Sequence, residues 1–116
     1  MGSMMTEQVT MKAMQQQVDG YISGFEEGYF PPMELIARLT EELGELSREV
    51  QHVHGMKKKK NTEGASTLAE ETGDLLFVLI CFANSQGIDL SEALDMVMTK
   101  FRSRDADRWT KKGETE

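Results

Sequence analysis

Apolar residues recur through most of this chain at alternating steps of three and four, the spacing of helices packed along one stripe. Met11, Met14, Val18, Tyr21 or Ile22, and Phe25 keep that rhythm and predict a first helix over roughly Thr6 to Glu27. Gly20 and Gly24 weaken it. Gly28 supplies a left-handed stop, and Pro31-Pro32 then forces an extended break before a second helix whose first turn tolerates proline. From Met33 to about His54, the residues Ile36, Leu39, Leu43, Leu46, Val50 and Val53 step 3, 4, 3, 4, 3, one continuous packing seam. Residues 55–66 are polar and glycine-punctuated around Lys57-Lys58-Lys59-Lys60, a solvated loop with attraction of a phosphorylated ligand as the lesser alternative.

Thr67-Leu68-Ala69-Glu70 fits a capping box and opens a third helix. Its run from Leu75 to Ala83 is apolar on every face. A helix apolar all round has to be buried all round, and three neighbours in a chain of this size struggle to cover it. That predicts a homodimer built around this helix. After the turn Gln86-Gly87-Ile88, Asp89-Leu90-Ser91-Glu92 caps a fourth helix, with Ala93, Leu94, Val97, Met98 and Phe101 on its inner face. The pattern as a whole is all-α, a four-helix-bundle type that dimerises through its helices.

With 116 residues, 39% of them apolar, the chain is sized for one domain with its own core. That domain spans residues 6–109, ahead of a charged tail at 110–116. Residues 1–5 read as a remnant of cloning, with the native start at Met4 or Met5. Gly2 and Thr6 also match a myristoylation pattern, the less favoured reading. A net charge of −7 argues against a nucleic-acid polymer as partner. Cys81 is the one cysteine, so no disulfide framework exists and the expected compartment is the cytoplasm. The apolar run of the third helix is too short to span a bilayer.

The chemistry is carried by two acidic clusters, Glu41-Glu42-Leu43-Gly44-Glu45 and Glu71-Thr72-Gly73-Asp74. If the second and third helices form an antiparallel hairpin about a midpoint near Lys58, Glu42 falls level with Asp74 and Glu45 with Glu71. On a helical wheel Glu42, Glu45 and Glu49 share one flank of the seam, while Glu41 points out toward solvent. Converging carboxylates repel one another unless a cation sits between them, and oxygen-only donors suit Mg²⁺ or Mn²⁺. Arg38, one turn before Glu42, supplies part of the compensation. The end of the fourth helix gathers Lys100, Arg102, Arg104, Arg108 and Trp109, read either as cations favoured by the helix dipole or as a phosphate and base clamp. Di-iron chemistry needs two Glu-x-x-His pairs, and only Glu49 to His52 has that spacing. His52 and His54 therefore read as helix-end residues, and Cys81 as a packed core thiol.

These motifs resemble the MazG-like nucleoside triphosphate pyrophosphohydrolases. The residues that carry the likeness are Glu41-Glu42-x-x-Glu45 and Glu71-x-x-Asp74 running into an apolar helix. The stretches Gly28-Tyr29-Phe30 with Pro32, Arg38 to Leu46, Gly73 to Leu79, and Lys100-Phe101-Arg102-x-Arg104-Asp105-x-Asp107-Arg108-Trp109 are similar to the small single-domain bacterial branch called YpjD-like. The resemblance implies Mg²⁺-dependent hydrolysis of a (d)NTP to the monophosphate and pyrophosphate, in nucleotide-pool house-cleaning, on a four-helix scaffold assembled as dimers or tetramers. It implies metal ligation by Glu42, Glu45, Glu71 and Asp74, and contacts of Lys100 and Arg104 with the triphosphate. Glu41 is the candidate for orienting or deprotonating water. Arg38, Arg102 and Trp109 join the substrate-binding set on chemical grounds. Where several larger relatives carry an asparagine this chain has Cys81, with Asn84 a turn later, so base and sugar contacts do not transfer. Sister activities on dUTP, dCTP or phosphoribosyl-ATP share every motif. A non-enzymatic helical interaction module is the reading from another class.

Overall fold

The computed structural model describes residues 8–55 and 67–113. Within them the chain forms α1 (Met11–Ile22), α2 (Pro32–His54), α3 (Leu68–Ser85) and α4 (Leu90–Arg104), with no strand. Lys57 to Lys60, residues 1–5 and the last three residues of the tail lie outside the described residues.

Local chemistry sets each boundary. The Thr10 hydroxyl accepts from the Ala13 N–H at 3.0 Å and fixes the start of α1. The helix stops at Ile22, short of the predicted end, because the following residues turn on Gly24, whose N–H bonds to Tyr21 O. Gly28 has φ +64°, a backbone that glycine adopts without penalty. α2 begins on Pro32, where the missing N–H costs nothing. Thr67 accepts from the Glu70 N–H, and Asp89 accepts from the N–H groups of Ser91 and Glu92. Both predicted caps are present.

α2 and α3 form the antiparallel hairpin, and α1 packs against α3. The buried cluster is Leu35, Val78 and Cys81, with Val18, Ile22, Tyr29, Leu39 and Phe82 packed on it. Each fully buried side chain of this kind contributes about 1.5–3 kcal/mol. The stripe of α2 that faces α3 departs from the predicted seam. It runs through Leu35, Leu39, Glu42, Leu46, Glu49 and His52, whereas Ile36, Leu43, Val50 and Val53 stay exposed. Leu39 and Leu46 belong to both stripes, so the 3–4 spacing is compatible with either, and one chain uses the stripe that carries carboxylates. α3 is likewise covered on only part of its circumference. Val78, Ile80, Cys81 and Ala83 are buried, but Leu76, Phe77 and Leu79 are exposed.

The fourth helix departs further from expectation. It leaves α3 at a bend of 101° and packs on α1. Of its expected inner face only Ala93 is half-buried; Leu94, Val97, Met98 and Phe101 are exposed.

A polar clasp holds that elbow. The Gln15 amide donates to Ile88 O and Asn84 Oδ1, both at 2.9 Å, and its oxygen accepts from the Leu90 N–H at 2.9 Å. Asn84 Nδ2 donates to Gln15 O at 2.9 Å and to the Tyr29 hydroxyl at 3.0 Å. Tyr29 in turn donates to Asp19 Oδ1 at 2.7 Å. Gly87, at φ +67°, supplies the left-handed step that lets the Ile88 N–H reach Ala83 O. Among the described residues no single helix is long and apolar enough to cross a membrane.

Candidate active site

Glu42 projects from the middle of α2 into the α2–α3 interface, half-buried. Glu71 lies in the first turn of α3 and is buried, and Asp74 follows one turn later, exposed at the mouth. Oxygens of these three carboxylates all lie within 4.8 Å of one another. Their arrangement follows from two local facts. The Thr67 cap fixes where α3 starts, and Leu35 packing on Val78 and Cys81 fixes the height of α2 beside it.

The electrostatics are those of an acid cluster. Burial pushes the Glu42 carboxyl above its ordinary range, the negative charges of Asp74 and Glu71 push it further, and Arg38 opposes them. A donor set of three convergent carboxylate oxygens with no nitrogen or sulfur fits a hard divalent cation. Such an ion relieves the repulsion among them.

The other predicted site residues are distributed unevenly. Glu45, expected level with Glu71, instead pairs with Arg48 on its own helix, and both side chains are about half exposed. Glu41, next to Glu42 in sequence, is exposed. Arg38 lies four residues before Glu42, its guanidinium 5.6 Å from the Phe30 ring centre. It lines a small apolar cavity of about 80 Å³ with Leu35, Phe77, Val78 and Cys81. Burial raises the Cys81 thiol, in keeping with a packed, unreactive side chain.

Lys100, Arg102, Arg104 and Trp109 are not brought to the cluster within one chain. All four are exposed on or just beyond the outer end of α4. The Lys100 ammonium and the Arg104 guanidinium both lie over the Phe101 ring, at 5.3 and 4.6 Å, and Arg104 also bonds Asp105. Trp109 stacks with Arg108 instead.

Two features escaped the sequence reading. Glu49 is buried 3.7 Å from His52, which stands in the last turn of α2 as expected but with its side chain only 5% exposed. The helical wheel shows the shared flank of Glu42 and Glu49, but not that α3 buries Glu49 together with His52. The clasp of Gln15, Asn84 and Tyr29 had no signal, because isolated polar residues on amphipathic helices are commonplace.

The chain is similar to known proteins in sequence and in fold. Residues 30–109 match the profile of the MazG nucleotide pyrophosphohydrolase domain. The protein YpjD of Bacillus subtilis (strain 168) is 60% identical over 105 residues, spanning 90% of this chain and 95% of that protein. The crystal structure of YpjD from Bacillus subtilis superposes with a TM-score of 0.75 at 57% identity, covering 83% of this chain and 98% of the other. The crystal structure of the Bacillus-conserved MazG protein, a nucleotide pyrophosphohydrolase, gives a TM-score of 0.75 at 52% identity over 89% of this chain and all of that one.

Proposed function

The chain belongs to the MazG nucleotide pyrophosphohydrolase family, and on that premise we propose that it hydrolyses a (d)NTP to the monophosphate and pyrophosphate with Mg²⁺, Mn²⁺ being a possible substitute. The observation that carries this reading is the convergence of Glu42, Glu71 and Asp74. These three, joined by Glu45 once it is released from Arg48, are the residues that would hold the metal. The ion, when bound, supplies Lewis-acid neutralisation of phosphate charge and lowers the pKa of water.

The chain's own groups do the rest. Glu41, exposed and next to Glu42 in sequence, takes the proton of the attacking water. Lys100 and Arg104 offset the charge that accumulates on departing pyrophosphate. Arg38 braces Glu42 and faces the small apolar cavity. Arg102 and Trp109 contribute cation and stacking surface toward the nucleotide. The exposed apolar stripes of α2, α3 and α4 support assembly as a homodimer or tetramer, and the single buried, unpaired cysteine accords with a cytoplasmic setting. Family membership sets aside the reading as a non-enzymatic module.

A panel of ribo- and deoxyribonucleoside triphosphates, with phosphoribosyl-ATP included, assayed for pyrophosphate release with Mg²⁺ and with Mn²⁺, tests the reading. Release from at least one (d)NTP, abolished by chelation, is expected. Turnover of phosphoribosyl-ATP alone would assign the sister activity, and release indifferent to chelation would overturn the metal role.

A further inference from the structure

The stripe of α3 that carries Glu71 and Asp74 continues as Val78 and Cys81, and the stripe of α2 that carries Glu42 continues back to Leu39 and Leu35. One seam between two helices therefore changes from acidic to apolar within two turns. At the helical rise per residue, the level of Asp74 and that of Val78 and Cys81 are separated by roughly 6–10 Å. On the apolar side of that step lies the cavity of about 80 Å³, walled by Leu35, Val78 and Cys81 and flanked by the exposed rings of Phe30 and Phe77. A nucleotide whose phosphates lie against the acids has one pentose ring to span before its base. The step along the seam is of that length.

Arg38 supplies the polar group. It lines the cavity, and its guanidinium, 5.6 Å from the Phe30 ring centre, makes no hydrogen bond or ion pair among the described residues. Tyr29 also borders the cavity, but its hydroxyl is committed to Asp19 and Asn84. Arg38 is therefore the strong hydrogen-bonding side chain left to meet a ligand there. A guanidinium offers paired N–H donors and no acceptor, so it selects an edge with two adjacent acceptors. Size narrows the choice further. An apolar cavity of about 150 Å³ takes one six-membered aromatic ring. At about 80 Å³ this one receives the edge of a single ring, and a fused second ring enters only by pushing lining side chains aside.

We infer that this cavity takes the base of the nucleotide and that Arg38 selects cytosine. The inference rests on the reading under Proposed function and adds the substrate class. Cytosine is the single-ring base that presents two adjacent acceptors, O2 and N3, so both N–H groups of the fork find a partner. Uracil and thymine set N3–H between O2 and O4, and one arm of the fork then faces a donor. Guanine has an acceptor pair in O6 and N7, but its second ring is excluded by size, as is that of adenine. Phe30 and Phe77 give the bound ring apolar surface to rest on. Arg38 also opposes the rise of the Glu42 carboxyl, so its loss slows every substrate. Selectivity, rather than rate, reports the base contact.

Base selectivity tests this. The kcat/KM for pyrophosphate release is measured with dCTP, dUTP, dTTP, dATP and dGTP at saturating Mg²⁺ on wild type, Arg38→Lys, Arg38→Met and Cys81→Ala, each checked by circular dichroism. Wild type is expected to favour dCTP over dUTP and dTTP by at least about fivefold, and over both purines by more. Arg38→Lys keeps the charge beside Glu42 without the fork, and Arg38→Met keeps only the stem. In both, the dCTP-to-dUTP ratio falls to about one; either variant suffices if the other fails to fold. Cys81→Ala enlarges the cavity and raises dGTP relative to dCTP. Equal rates with the three pyrimidines in wild type, or an Arg38→Lys that keeps the dCTP preference, overturns the inference and leaves the metal site standing. A Cys81→Ala with the wild-type purine ratio overturns the placing of the base in this cavity. Pyrophosphate release from no (d)NTP at all sinks the reading on which the inference rests, and the inference with it.

Discussion

The carboxylates of Glu42 on α2 and Asp74 on α3, thirty-two residues apart in the chain, bring oxygens within 4.8 Å of each other, with Glu71 inside the same radius. Asp74 is the foremost neighbouring charge that holds the Glu42 carboxyl above its ordinary range, after burial. A folded-state pKa raised in this way gives stability that is present in acid and lost as pH rises through it. Metal-free protein at neutral pH therefore bears a repulsion that Glu42→Gln relieves. In chelator at pH 7 the variant is expected to melt higher than wild type, an advantage that disappears near pH 4. Added Mg²⁺ raises the wild-type Tm and leaves the variant nearly unmoved. A variant that melts lower than wild type in chelator at pH 7 would contradict the cluster's strain.

The Arg48 guanidinium occupies the carboxylate of Glu45 on an exposed helical face. Exposed pairs of this kind contribute about 0–1 kcal/mol, so the pair delays rather than prevents a role for Glu45 at the metal. Arg48→Ala is expected to tighten Mn²⁺ binding by up to about fivefold in a calorimetric titration. Weaker or unchanged binding would leave Glu45 outside the ligand set.

Asn84 donates to Gln15 O and the Tyr29 hydroxyl and accepts from the Gln15 amide, joining α3 to α1 and to the segment between α1 and α2. Asn84→Ala strips three part-buried hydrogen bonds and is expected to cost about 1–3 kcal/mol in urea unfolding. A cost within experimental error would show that the clasp is replaceable by water.

Tyr29 carries the pH signature of that clasp. Burial first, then the hydrogen bond to Asp19, pushes its phenol up to about 12, against the ordinary 10.0. Because the folded value is the higher one, the contribution of Tyr29 is intact below pH 10 and is lost as pH rises through about 12. Tyr29→Phe should therefore flatten the fall in stability across that window, measured by urea midpoints against a Tyr21→Phe control. Parallel curves for wild type and Tyr29→Phe would contradict it.

The hairpin and the approach of Glu42 to Asp74 were legible because helical periodicity and the Thr67 cap are local. Once α2 and α3 exist and turn back on one another, Glu42 has to approach Glu71 and Asp74. The choice of seam was not legible. Leu39 and Leu46 serve two stripes equally, and only the partner α3 decides that Leu35 and Glu49 turn inward while Ile36 and Leu43 turn out. The direction of α4 was hidden for a related reason. Its apolar spacing shows that Leu94, Val97 and Phe101 form a stripe, but the 101° departure depends on Gln15, seventy-five residues from the Leu90 N–H that it holds. Glu45 was placed by level rather than by its competing neighbour, Arg48.

The central claim is that the carboxylates of α2 and α3 bind the ion on which nucleotide hydrolysis depends. Pyrophosphate release by Asp74→Asn, from whichever (d)NTP the wild type hydrolyses best and at saturating Mg²⁺, tests it most directly. A fall of at least about a hundredfold in kcat/KM, with the helical circular dichroism and oligomeric mass of wild type, is the predicted result. Wild-type kcat/KM in that folded variant would contradict the account.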